Sequence, residues 1–150
     1  MATDAVVVDA SVAVKWHLTS ETDAQVSGHV LAAYTRGVLG LHAPQHIHYE
    51  VPSAITIASR GRQPRLSVDE ARTAIDEFLG IRITLHSDDV LVRDAFELAQ
   101  QHGCAFYDGL YVALAQRMGL PFVTADRKLY ELVRLLPGVV WIADWALPAG

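Results

Sequence analysis

Four acidic side chains occupy positions from which strands and helices could direct carboxylates towards one point. They lie in the segments VVVDAS, HYEVPSAI, FYDGLYVALA and FVTADRKL, and they are Asp9, Glu50, Asp108 and Asp126. Converging carboxylates repel one another unless a cation lies between them. Ligation by oxygen alone suits a hard divalent ion, Mg²⁺ or Mn²⁺. The set therefore predicts a metal-dependent enzyme that cleaves phosphodiester bonds.

Each of these carboxylates also has an ordinary structural explanation. Asp9, in a D-x-S pattern with Ser11, and Asp126 both precede predicted helices, where Asp and Ser are common N-caps. Asp108 lies near the start of its helix, where the helix dipole favours a negative charge. Glu50 borders the core-facing side of its helix, and a carboxylate there needs a partner or a metal. The occurrence of all four together favours a metal site.

The elements that would position these residues alternate along the chain. Strands are predicted at residues 5–9, 41–44, 81–86, 121–124 and 139–143. Helices are predicted from about residue 11, over about 23–36, from 44 to near 61, over 67–79, 88–101, 107–118 and 126–136. Short, apolar, β-branched strands between helices predict a parallel sheet covered on both faces. Ligands bind such sheets at the carboxyl ends of the strands, where Asp9 and Asp126 lie.

Several residues predict where the helices begin and end. Ser20 or Thr22 could cap the second helix, and Pro44 fits the first turn of the third. Pro52 falls inside that third helix and should bend it or restrict its first turn. Clearer signals are the capping-box pattern that begins at Ser67 and the stop expected at Gly103.

Length and composition are those of one compact domain. The chain has 150 residues, of which 51% are hydrophobic, so that it can form a core without disulfides or zinc. Its single cysteine, Cys104, suits a reducing cytosol and hence a cytoplasmic protein. The N-terminal residues lack the basic region of a signal peptide, and no apolar stretch approaches the ~18 residues of a membrane span.

Basic residues cluster although the chain as a whole is acidic. The net charge is −5, which is the wrong sign for passive binding of nucleic acid. However, Arg60, Arg62 and Arg65 lie together in RGRQPR, and Arg127 and Lys128 lie together near the C-terminus. They could form a surface that contacts phosphates, or a solvated polar loop.

Other candidate sites are weaker. His42, His46 and His48 span a strand, a proline and a helix start, and side chains two apart on a helix do not face each other, which argues against zinc. Cys104 is interpreted as a buried structural cysteine. The segment after the first strand has no glycines for a phosphate-binding loop.

The segments VVVDASVAVKW, HYEVPSAI, YDGLYVALA and VTADRKL resemble, in this order and spacing, those of PIN-domain ribonucleases. The resemblance is specifically to the VapC-type toxins of bacterial toxin–antitoxin pairs, and it covers nearly the whole chain. It implies one PIN-like nuclease domain over residues 1–150. The implied fold is a three-layer α/β/α sandwich with a central parallel sheet.

The resemblance also implies an activity and partners. These are Mg²⁺-dependent endonucleolytic cleavage of RNA, with Mn²⁺ as a possible substitute, a cognate antitoxin and a homodimer. The matching acidic and hydroxyl positions are Asp9, Glu50, Asp108 and Asp126, with Ser11 and Thr124 near the metal. Ser53 departs from the pattern, since many members have Asn three residues after the matching Glu, and Pro52 beside it is less usual.

Two other classes of function stay open at this point. A catalytically inactive PIN-like module could use the same carboxylates as caps and partner contacts. A housekeeping nuclease could use the same site on DNA or structured RNA, in repair or processing.

Overall fold

A five-stranded, all-parallel sheet forms the centre of the molecule. The computed structural model describes residues 4–149, so residues 1–3 and Gly150 lie outside this range. Residues 1–3 belong to the N-terminal segment on which the signal-peptide prediction was made. The strands are β1 (Asp4–Val8), β2 (Leu39–Pro44), β3 (Thr84–His86), β4 (Phe122–Thr124) and β5 (Val139–Trp141). Their order in the sheet is β3-β2-β1-β4-β5.

Helices separate these strands along the chain. They are α1 (Ala10–Lys15), α2 (Ala24–Thr35), α3 (Ile47–Ala58), α4 (Val68–Gly80), α5 (Val92–His102), α6 (Phe106–Met118) and α7 (Arg127–Val133). Two short 3₁₀ segments cover Asp88–Val90 and Ile142–Asp144. The predicted α/β sandwich with a central parallel sheet is confirmed. Within residues 4–149, none of the helices is long and apolar enough to cross a bilayer.

The central strand β1 lies in the hydrophobic core. Its residues Val6, Val7 and Val8 are almost completely buried, because β1 pairs with β2 on one side and β4 on the other. Continuous apolar runs are typical of parallel strands that are covered on both faces. Helix α6 is buried continuously from Gly109 to Ala115. Both elements that lead to Asp9 and Asp108 are thus fixed by packing.

Several helix ends follow the sequence signals. Ser67 and Glu70 form the reciprocal capping box at the start of α4. Gly103 ends α5 in the left-handed region at φ 69°, a conformation that glycine adopts without strain. Pro52 lies inside α3, which continues to Ala58.

Three predictions about the starts of helices were wrong, and β3, β5 and α7 are shorter than predicted. Pro44 ends β2, and α3 begins at Ile47, because Pro44 pairs with His86 of β3 and sheet pairing outweighs the preference of proline for a first helical turn. Neither Ser20 nor Thr22 caps α2. Its N-cap is Asp23, whose left-handed backbone at φ 65° leaves its side chain without a capping hydrogen bond. The stretch after Ser87 forms a 3₁₀ turn before α5.

The connections reverse direction between β1 and β4. From β1 the chain crosses to β2 and β3 on one side, and β4 and β5 lie on the other side. Adjacent parallel strands whose connections run to opposite sides leave a crevice at their carboxyl ends. Asp9 follows β1 and Asp126 follows β4 by two residues, so the topology places both at this crevice.

Candidate active site

Asp9 is a buried carboxylate at the end of the central strand. Its side chain is 3% exposed and caps α1 by accepting a hydrogen bond of 3.2 Å from the Val12 amide. Ser11 Oγ donates to Oδ1 and Thr124 Oγ1 donates to Oδ2, each at 2.5 Å. The capping interpretation is therefore correct for Asp9, and the remaining contacts hold its carboxylate rigidly in the crevice.

The two hydroxyl groups join the ends of β1 and β4. Ser11 Oγ accepts a hydrogen bond from the Ala125 amide at 2.9 Å, and Thr124 Oγ1 accepts one from the Asp126 amide at 3.1 Å. Each hydroxyl thus bridges the Asp9 carboxylate to the backbone that leads into α7. Ser11 and Thr124 thereby fix the position of Asp126 relative to Asp9.

Asp126 caps α7 as well as facing the crevice. Its Oδ1 accepts a hydrogen bond of 3.1 Å from the Leu129 amide. Asp126 is half-buried and lines a cleft of about 340 Å³ together with Ser11 and Glu50. The cap orients the carboxylate towards this cleft.

Glu50 enters the site from α3 and is held by two neighbours. Tyr111 donates its hydroxyl to Glu50 Oε1 at 3.1 Å, and His46 Nε2 lies 2.6 Å from the same oxygen. Burial alone would lower the pKa of His46, but the Glu50 carboxylate, helped by Asp88, raises it. His46 therefore favours its charged form beside Glu50.

Asp108 lies where the charges of the other acids meet. Burial, together with the charges of Asp126 and Glu50 and against an opposing effect of His46, raises its pKa to about 6. Burial is the main cause that raises the pKa of Asp9; the hydrogen bonds from Ser11 and Thr124 oppose the rise, the charge of Asp108 adds to it, and the net value is about 7. Asp9, Glu50 and Asp126 thus all interact electrostatically with Asp108. Asp108 is therefore the predicted acid that the charges of the other three all reach.

The donor chemistry of this site fits a hard divalent cation. Within residues 4–149, no group of three or more His, Cys, Asp or Glu side chains is arranged closely enough to hold a metal ion. The acids converge without closing around a point, as expected for like charges. Asp9 nevertheless keeps a buried carboxylate with hydroxyl and amide partners only. Its raised pKa records an electrostatic cost that a bound cation would relieve.

The predicted basic surface is divided in the structure. Arg60 and Arg62 are exposed in the connection between α3 and α4. Arg65 forms an ion pair with Glu21. Arg127 lies 3.9 Å above the ring of Trp141, and Lys128 is exposed on α7.

The three histidines do not form one cluster. His42 Nδ1 lies 2.9 Å from His86 Nε2, His46 contacts Glu50, and His48 packs edge-on against Phe78. The interpretation against a zinc cluster of these three agrees with this separation.

Cys104 is half-buried, and burial raises the pKa of its thiol. A raised pKa disfavours the nucleophilic thiolate. Cys104 is thus less buried than predicted, and its raised pKa is consistent with a structural role.

Three residues at the site were not predicted: His46, Tyr111 and Lys15. Their spacing in the sequence could have predicted them, because His46 precedes Glu50 by four residues and Tyr111 follows Asp108 by three. Residues three or four apart share a face of a helix. Lys15 likewise follows Ser11 by four residues and lines the same cleft.

Comparison with known proteins identifies the class to which this fold and site belong. The PIN domain model matches residues 6–135. The chain therefore belongs to the PIN-domain family. Among its relatives, Ribonuclease VapC3 of Pyrobaculum aerophilum is 35% identical over 127 residues, covering 83% of this chain and 92% of the relative. This similarity places the chain with the VapC-type ribonucleases.

Solved structures share the fold. The crystal structure of PAE2754 from Pyrobaculum aerophilum matches with a TM-score of 0.65 and 23% identity, covering 95% of this chain and 93% of the other. A toxin–antitoxin complex from Klebsiella pneumoniae contains a chain that matches with a TM-score of 0.58 and 15% identity, covering 90% and 95% respectively. At these identities the likeness supports the fold alone.

Proposed function

We propose that the protein is a Mg²⁺-dependent endoribonuclease that hydrolyses RNA phosphodiester bonds at the site of Asp9, Glu50, Asp108 and Asp126. One observation carries the proposal: Asp108 has a pKa raised to about 6 by burial and by the charges of two of the other acids. A cluster of acids with raised pKa values in a cleft is typical of a functional site. Relatives of the chain that are named ribonucleases support the choice of reaction.

The residues divide the proposed work between them. Asp9 is the central metal ligand, because its carboxylate lies at the end of a rigid strand and both of its oxygens are fixed by hydroxyl groups. Asp108 and Asp126 complete the negative charge around the cation. Glu50, oriented by Tyr111 and His46, ligates directly or through water, or accepts a proton from the attacking water.

The cation that these ligands suit is Mg²⁺, with Mn²⁺ as a substitute, because both accept oxygen ligands. When bound, such an ion supplies an activated water and positive charge opposite the phosphate oxygens.

The test is cleavage of a cellular RNA pool by purified protein with added Mg²⁺ or Mn²⁺, against EDTA. We expect cleavage that requires the metal and that is abolished by Asp9→Asn, which removes the charge but little volume. A matched control is Asp4→Asn, at the exposed opposite end of β1, which should cleave like the wild type. Metal-dependent cleavage that Asp9→Asn leaves intact would contradict the assignment.

The exposed arginines of the α3–α4 connection, Arg60 and Arg62, are proposed to contact RNA phosphates together with Arg65. Their exposure supports this role. Arg65 is shared with Glu21, so it contributes less free positive charge than the other two.

We further propose that the protein is the toxin of a type II toxin–antitoxin pair, that it acts in the cytoplasm, and that a cognate antitoxin blocks its site. The similarity to Ribonuclease VapC3 supports this role. A small neighbouring reading frame for a DNA-binding protein whose product inhibits the cleavage is expected. Cleavage without such a neighbour would favour the housekeeping nuclease, and absence of cleavage by folded protein would favour the binding module.

The same proposal includes a homodimer, formed through the exposed face of α3. Tyr49, Ser53 and Ile57 follow one another at spacings of four residues and so share that face. Together with Tyr107 they line a groove of about 490 Å³, which is also lined by His46 and Glu50 at the border of the acidic site. Tyr49, Ile57 and Tyr107 are 73%, 66% and 62% exposed, respectively. A second copy of the same face would cover these apolar groups in a two-fold contact.

A further inference from the structure

Lys15 lies in the wall of the acidic cleft. It follows Ser11 by four residues on α1, so the two side chains share one face of that helix. Both line the cleft, together with Glu50 and Asp126. The Lys15 side chain is 11% exposed, so most of it is withdrawn from solvent. The cleft lined by the carboxylates of Glu50 and Asp126 therefore also holds an ammonium group.

Glu21 holds this ammonium group in place. Lys15 Nζ lies 3.1 Å from Glu21 Oε2, and Arg65 Nη1 lies 2.5 Å from Glu21 Oε1. Burial acts to raise the pKa of Glu21, but the two cations hold it below its ordinary value. A single carboxylate is thus shared between two cations. The cluster of Lys15, Glu21 and Arg65 keeps a net positive charge of one unit beside the acidic cleft.

We propose that Lys15 contacts a phosphate of the RNA backbone next to the bond that is cleaved, an inference that rests on the proposed ribonuclease function. The carboxylates of the site repel a polyanion, and the whole chain is acidic. A partly desolvated ammonium is screened less by water and salt than an exposed one, so it attracts a phosphate more strongly. Because Glu21 already fixes its position, little freedom is lost when RNA binds.

A purely structural ion pair between α1 and the connection to α2 would place the same residues together. The salt dependence of RNA binding distinguishes the two roles, because its slope is proportional to the number of phosphates that the protein contacts. A purely structural ion pair would affect the stability of the fold without changing the number of phosphate contacts.

The experiment measures binding of a fluorescein-labelled, single-stranded RNA of mixed sequence by anisotropy over a range of KCl concentrations. The parent is the Asp9→Asn protein, so that cleavage does not interfere, and Lys15→Met, Lys15→Arg and Arg117→Met are added singly. Arg117 lies in the last turn of α6, whereas Asp108 lies in the first, so Arg117→Met removes one charge remote from the site.

Each phosphate contact on a single strand contributes about 0.7 to the slope of log K against log salt. We expect Lys15→Met to reduce the slope by about 0.7 and to weaken binding severalfold. Lys15→Arg keeps the charge and should keep the slope, as should Arg117→Met. If Lys15→Met does not fold, Lys15→Gln carries the same expectation, because its amide can still bond Glu21.

An unchanged slope in folded Lys15→Met, or an equal fall in Arg117→Met, would overturn the assignment. Cleavage of the RNA pool by protein with an intact Asp9, measured in parallel, separates the two possible failures. If that protein cleaves RNA and the salt slope does not change when Lys15 is substituted, only the proposed role of Lys15 is wrong. If the proteins neither bind nor cleave RNA, the ribonuclease proposal fails as well.

Discussion

Asp9 performs two tasks with one carboxylate. It caps α1 through the Val12 amide, and it lies in the crevice with hydroxyl partners on both oxygens. A capping carboxylate at the surface would keep an ordinary pKa, but burial raises that of Asp9 to about 7. The proposed chemistry needs Asp9 in its charged form. Burial in the protein disfavours that form, and a bound cation would stabilise it.

The raised pKa of Asp9 predicts how the metal-free protein responds to pH. In the unfolded chain this group titrates near 3.8, and in the fold near 7. The unfolded state thus releases its proton first, so the stability linked to Asp9 is present at low pH and is lost as pH rises from about 4 to 7. Each unit of pKa shift corresponds to about 1.4 kcal/mol, and each kcal/mol moves the Tm of a chain of this size by about 2–4 °C.

The measurement is the Tm in EDTA between pH 4 and 8. Asp9→Asn cannot ionise, so it should become more stable than the wild type as pH rises through this window. Asp4→Asn, at an exposed position on the same strand, corrects for the general loss of an acid. A difference between wild type and Asp9→Asn that does not vary with pH would show that Asp9 keeps an ordinary pKa.

At the scale of elements, α5 and α6 pack unusually closely where α6 enters the site. A Cβ atom placed on Gly109 would lie 2.6 Å from the carbonyl oxygen of Ala95. No side chain fits there without moving one helix. Because Asp108 directly precedes Gly109, this contact also sets the position of a proposed metal ligand.

Gly109→Ala should therefore destabilise the fold and impair the site. Overpacking of this kind costs about 1–3 kcal/mol, and the shift of α6 should lower RNA cleavage as well. Gly28→Ala is the control, because Gly28 also lies inside a helix, has open space around it, and should gain up to about 1 kcal/mol. Urea unfolding and the cleavage assay measure both effects. Equal stability of the two variants would show that α5 and α6 can separate at little cost.

The sequence predicted the elements better than their contacts. The alternation of strands and helices, the capping box at Ser67 and the stop at Gly103 are local patterns, and the structure confirms each. The start of α3 was misplaced because pairing of Pro44 with β3 is a contact between distant segments. The four acids could be proposed from the sequence because each follows a strand or lies on an apolar helix. The hydrogen bonds that join Ser11 to the Ala125 amide and Thr124 to the Asp9 carboxylate depend on strand order, which no local pattern encodes.

At the scale of the whole molecule, local positive charge lies beside the acidic cleft of an acidic chain. The chain has a net charge of −5, yet Lys15 and Arg65 accompany the acidic cleft, and Arg60 and Arg62 extend from the connection that carries Arg65. Global charge would predict repulsion of RNA, whereas local cations beside the proposed metal site would allow a polyanion to approach.

The apolar face of α3 gives the last prediction, on assembly. If two copies meet through Tyr49, Ile57 and Tyr107, then Ile57→Glu places two like charges in an apolar contact and should convert the dimer to monomer. Leu79→Glu is the matched control, because Leu79 is a comparably exposed apolar side chain on α4. Light scattering after size-exclusion chromatography, at several protein concentrations, gives the mass of each variant. We expect a monomer only for Ile57→Glu. A dimer that persists in Ile57→Glu and dissociates in Leu79→Glu would show that the interface is on α4. A monomeric wild type would contradict the proposed homodimer without contradicting the proposed acidic site.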